Sequence, residues 1–122
     1  MAINSNVLTI GNVIERKKTF FIVSFSTVDA TTCELIKAAP STGAIYITSI
    51  DISSVAAGTV KIGSGKTSTS LTAEAFEFIG SAEGINSNPE LEHPVKLTDT
   101  TAMYVDTSAA GNTSGVIQGF VA

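Results

Sequence analysis

The residues Gly63-Ser64-Gly65-Lys66-Thr67 carry the ending of a phosphate-binding loop. The complete motif, G-x-x-x-x-G-K-[ST], wraps phosphates in successive backbone N–H groups and opens a helix. Val60 stands where its first glycine belongs, and Ser68-Thr69-Ser70-Leu71-Thr72 is a poor helix start. A β-hairpin turn at Gly63–Lys66 accounts for the same residues, so no nucleotide site is expected. Glu90, Glu92 and His93 form a second cluster, of types that bind metal or move protons. Zinc needs three or four ligands, and the chain has one His and one Cys. Calcium wants alternating oxygens, which Asn86, Asn88 and Glu90 match only faintly. The cluster reads as a solvated loop.

Cys33 becomes a nucleophile only with a base beside it and a lowered pKa, and His93 is the sole candidate base. It reads instead as a small buried hydrophobe. Glu74, Glu77 and Glu83 lack the paired setting of a glycosidase. No serine sits in a nucleophile elbow. The expectation is a protein with no reaction, no metal and no cofactor.

Composition sets the frame for these side chains. The chain has 122 residues, 43% of them hydrophobic and 15% charged, with a net charge of −4. This length suits one domain with a single core, and this composition is not that of a disordered chain. The only basic cluster, Arg16-Lys17-Lys18, reads as a solvated turn between two strand-like runs, so no nucleic-acid partner is expected. No apolar run is long enough to cross a bilayer, and the N-terminal residues have no signal-peptide pattern. A membrane partner is likewise not expected, and assembly in a reducing cytoplasm is.

The periodicity is that of strands. Residues 1–6 read as an extended arm, and residues 7–122 as the domain. Val7–Val13 is a short strand candidate. Thr19–Ser26 is the clearest: Phe21, Val23 and Phe25 alternate with Phe20, Ile22 and Ser24, which places the first three on the core face. Thr31–Ala38 follows and stops at Pro40. Ala44–Ser53 changes pattern part-way, from Ile45-Tyr46-Ile47 to alternating Ile50 and Ile52, which predicts a bulge or a first half covered on both sides. Thr59–Gly63 and Ser70–Ile79 come next, then a long loop over Gly80–Pro94 and a short strand at Pro94–Leu97.

The C-terminal stretch, Thr101–Ala122, reads as a hairpin of Ala102–Thr107 and Gly115–Val121 about the loop Ser108–Asn112. In that hairpin Thr107 opposes Thr113 and Met103 opposes Ile117. Met103, Val105, Gly115, Ile117 and Val121 then share one face; Tyr104, Val116, Gln118 and Phe120 share the other. The second face is apolar enough to predict a subunit interface at Tyr104, Val116, Gln118 and Phe120. Eight or nine short strands without a helix predict an all-β, single-domain, two-sheet sandwich, with a jelly roll preferred over an immunoglobulin-like arrangement.

A family resemblance adds to this reading. Glu34-Leu35-Ile36-Lys37-Ala38-Ala39-Pro40, Ile45-Tyr46-Ile47-Thr48-Ser49-Ile50 and Leu97-Thr98-Asp99-Thr100-Thr101-Ala102-Met103-Tyr104-Val105 carry it, with Ser108-Ala109-Ala110-Gly111 and Gly119-Phe120-Val121. Over roughly residues 34–122 the chain resembles small all-β structural proteins of tailed bacteriophages. The resemblance implies a capsid decoration, or cement, protein on the virion surface. It would be a homo-oligomer, a trimer being expected, partnered with the major capsid protein. Ala2, Ile3, Asn4, Ser5 and Asn6 are the expected capsid contacts, because free termini order readily on a partner surface. The alternative is a receptor- or carbohydrate-binding module of a tail or fibre. That role wants aromatic platforms, and the chain has no Trp and only Tyr46 and Tyr104.

Overall fold

The computed structural model describes residues 18–27, 30–55, 57–108 and 112–122. The expected arm at Ala2–Asn6 and strand at Val7–Val13 lie outside these residues.

Among the described residues nine strands follow in chain order: β1 Thr19–Thr27, β2 Glu34–Lys37, β3 Ile45–Ser54, β4 Gly58–Thr67 and β5 Ser70–Gly80. β6 Ile85–Ser87, β7 Val95–Lys96, β8 Met103–Thr107 and β9 Thr113–Val121 complete the set. They build two antiparallel sheets that pack face to face. The first sheet runs β1-β9-β3-β6, with β7 also on β3; the second runs β2-β8-β4-β5. The expected all-β sandwich is the observed architecture. Among the described residues only β4 and β5 are both chain neighbours and sheet neighbours, joined by a two-residue turn.

Between the sheets lies an aliphatic core. Ile45, Ile47, Ile50, Ile52 and Ile117 come from the first sheet; Val60, Ile62, Met103 and Val105 come from the second. β-branched residues dominate it because they pack well on a pleated surface. Phe21, Val23 and Phe25 point into this core, as their alternation predicts, yet all three are only half-buried, since β1 lies at the sheet edge. β3 holds the expected bulge. Its register on β9 slips between Ile47 and Ser49, so Thr48 is the additional residue. One inserted residue flips the parity, which is why Ile45 and Ile47 face inward and then Ile50 and Ile52 do.

Three expectations need correction. First, β8 and β9 are not a hairpin. Thr107 pairs with Val60 and Thr113 with Thr27 and Ser54, in different sheets. Ser108 is fastened to the second sheet: its N–H donates to the Thr59 carbonyl at 2.9 Å, and its Oγ accepts the Thr59 N–H at 2.8 Å. The Asn112 carbonyl accepts from Val55 N–H at 3.1 Å, just beyond the end of β3 in the first sheet. Ser108 and Asn112 are therefore fastened to opposite sheets. Small residues with turn chemistry permit either route, and two strands that each bury one face prefer to bury them against each other. Met103, Val105 and Ile117 nevertheless all lie in the core between the sheets, with Val121 packed against it.

Second, Gly63–Lys66 is not a turn but the outer half of β4. The chain reverses at Ser68-Thr69, with Ser68 at φ 61°. The register slips between Ile62 and Gly63, placing Gly63 opposite Glu74. A Cβ on Gly63 would stand 2.0 Å from the Ala73 carbonyl oxygen, so the bulge needs glycine there. Third, Gly80–Pro94 is not one loop. It contains β6, which pairs with β3, and a bridge between Ser81 and Gly84.

Candidate functional site

Hydrophobic alternation gives β1 and β9 an apolar inner face, and the outer face is where their composition departs from a solvated sheet. The register across β1, β9 and β3 sets the outward residues in rows. Phe20, Phe120 and Tyr46 form the first row; Ile22, Gln118 and Ser49 the second; Ser24, Val116 and Asp51 the third; Ser26, Ser114 and Ser53 the fourth. The face thus grades from aromatic at one end to hydroxyl-rich at the other.

The aromatic end is built by contact. Tyr46 and Phe120 stack with centroids 4.8 Å apart and 13° between planes, while Phe20 meets Phe120 edge-on at 5.9 Å. Lys18 places its Nζ 5.2 Å from the Phe120 ring centroid, a cation–π geometry. Phe120 is consequently buried in this structure. Its neighbours are not: Phe20 is 73% exposed, Ile22 72% and Val116 40%. A shallow depression lies among Phe20, Ile22, Thr48 and Gln118, its floor reaching Gly119. The bulge places Thr48 there, with its hydroxyl donating to the Gln118 carbonyl at 3.2 Å.

The four expected interface residues divide between the two sheets. Val116, Gln118 and Phe120 share the outer face of the first sheet. Tyr104 is on the outer face of the second, paired with Leu35 and Gly63. The mistaken hairpin had joined them. Phe20, Ile22 and Tyr46 complete the patch beyond the expected four; the alternation of β1 puts Phe20 and Ile22 on the outer face, and Tyr46 stands in a segment apolar throughout. The expected capsid contacts Ala2, Ile3, Asn4, Ser5 and Asn6 lie outside the described residues.

The groups considered for chemistry remain apart. Cys33 is buried at 1% exposure, and burial pushes its thiol pKa up, away from the reactive thiolate. Glu90, Glu92 and His93 are exposed on the connection into β7. Among the described residues no three of His, Cys, Asp and Glu stand together as a metal site would require. Lys66 extends from an exposed strand end and no helix follows it. Lys61 is held by Glu74 at 2.8 Å and Glu77 at 3.7 Å across β4 and β5, and the Glu74 hydrogen bond and charge raise its pKa. No described helix is long and apolar enough to cross a membrane.

No protein-family model matches the chain, and no curated protein matches it in sequence.

Proposed function

We propose that this chain is a structural subunit of a tailed-phage virion, a decoration protein that binds the major capsid protein as a homo-oligomer and stabilises the head. The observation that carries the proposal is the strand order. The order β1-β9-β3-β6 faces β2-β8-β4-β5, and successive strands alternate between sheets except at the β4–β5 hairpin and at β6 and the two-residue β7, which both pair with β3. This order favours a jelly roll, the double-sheet form found in viral capsid and lectin domains. An immunoglobulin-like sandwich would keep more chain neighbours hydrogen-bonded within one sheet.

Two further features fit a subunit whose work is contact. The outer face of β1 and β9 offers Phe20, Ile22 and Val116 to a partner. The reactive side chains are dispersed or buried, as described above. Placement on the virion surface, with assembly in the host cytoplasm, belongs to the same proposal.

Co-sedimentation with capsids that lack the chain tests it. The full-length protein is expected to pellet with the capsids and to raise the temperature at which they disrupt. Deleting Ala2–Asn6 is expected to weaken retention without unfolding the domain. A protein that stays in the supernatant at every ratio refutes the decoration role. Binding to isolated tails or host surface glycans would favour the fibre module instead.

A further inference from the structure

Sheet edges expose unpaired N–H and C=O groups, and proteins guard them with short strands, charges, proline or bulges. Among the described residues the two sheets have four edges, and three of them are guarded. β6 has three residues. β2 has four, with a register shift. β5 is long, but it carries Glu74 and Glu77 and is itself bulged at Ala75. The fourth edge is β1: nine residues, TFFIVSFST, with no charge, proline, glycine or bulge. Its inner residues Phe21, Val23 and Phe25 are half-buried, and outward it presents Phe20 and Ile22.

We infer that the outer edge of β1, beside which no other described strand lies, is a dimerisation strand, and that its partner is β1 of a second copy, paired antiparallel about a two-fold axis at Val23. The inference rests on the homo-oligomer reading above and specifies its contact. The strand is complementary to itself in this register. Val23 meets Val23 of the other copy, and Phe21 meets Phe25, so the half-buried inner row is continued across the axis. Outward, Ile22 faces Ser24 and Phe20 faces Ser26, and the apolar outer faces of the two first sheets join.

Charge follows the same symmetry. Lys37 lies over the Phe21 ring, its Nζ 4.6 Å from the centroid, near the start of β1. Glu34 accepts a hydrogen bond from Thr27 Oγ1 at its end. Antiparallel pairing brings the lysine end of each copy to the glutamate end of the other. A two-fold contact is isologous and gives a dimer, in place of the trimer that the resemblance implies.

Light scattering on the full chain, with designed charge pairs, tests the pairing. Ile22→Lys with Ser24→Lys changes two exposed outward residues and sets like charges opposite each other across the axis. Wild type is expected as a dimer and the lysine variant as a monomer with unchanged β-sheet circular dichroism. Ile22→Glu with Ser24→Glu should also be monomeric, and mixing it with the lysine variant should restore a heterodimer. Ile79→Lys on β5 should leave the mass unchanged. A monomeric or trimeric wild type overturns the inference, as does a lysine variant that still dimerises. Dimerisation seen only after deletion of residues 1–14 also overturns it, because the native occupant of the edge is then that segment. Capsid co-sedimentation is read separately. A dimer that ignores capsids refutes the decoration role alone, and a monomer that binds them refutes the pairing alone.

Discussion

Gly119 sits mid-way across the first sheet, opposite Phe21 on β1 and Ile47 on β3. A methyl group built on it would stand 2.0 Å from the Tyr46 carbonyl oxygen, 3.0 Å from the Tyr46 carbonyl carbon and 2.9 Å from Phe21 Cζ. The closest of these atoms is backbone, next to the bulge at Thr48, and cannot rotate away as a side chain can. Overpacking a well-filled core costs about 1–3 kcal/mol, and a contact on a central strand belongs at the top of that range. For a domain of this size about 3 kcal/mol lowers Tm by roughly 10 °C. Gly119→Ala should therefore melt about 10 °C below wild type by circular dichroism, with an unchanged denaturant m-value. Gln118→Ala, one residue away and exposed, should stay within about 0.5 kcal/mol of wild type. If Gly119→Ala melts with wild type, the register of β9 on β3 and the bulge are both wrong.

Further predictions concern the core edge and the residues once considered for chemistry. A fully buried Phe→Ala change costs about 3–5 kcal/mol, so the half-buried Phe21→Ala and Phe25→Ala should each cost about 2 kcal/mol in urea unfolding; unchanged midpoints in both would remove β1 from the core. Calorimetry with Mg-ATP or Mg-GTP should be flat, because Gly63–Lys66 is extended strand paired with β5; a saturable signal abolished by Lys66→Ala would overturn that. Cys33 should react with a thiol-alkylating reagent only on unfolding. Because its folded pKa is raised, stability is retained below the ordinary thiol pKa and falls as pH climbs from that value through the folded one; fast labelling of the folded protein at neutral pH would contradict its burial.

The sequence showed what each strand does locally better than where each strand goes. The alternation of β1 named its inner residues, and the parity change from Ile47 to Ile50 announced the bulge in β3. Both are properties of one strand on one pleated surface. Partner choice is different. Ser108–Asn112 shows that the chain can bend there, while the Ser108–Thr59 and Asn112–Val55 contacts that send it across the sandwich involve residues some fifty positions away. The same limit split the candidate site. Tyr104 and Phe120 fall on outward faces as read, but of opposite sheets, and the partners that make the patch, Phe20, Ile22 and Tyr46, arrive only through the β1-β9-β3 register. Gly63 and Gly65 looked like turn residues because glycine serves bulges and turns alike.

The central claim is that this chain binds the head of a tailed phage, and electron microscopy of particles assembled with and without it tests that most directly. The account predicts discrete density on the outer shell, at junctions between capsomers, present with the chain and absent without it, of a size to hold the two-sheet sandwich. Shells identical in both preparations, or additional density confined to the tail and fibres, would contradict it.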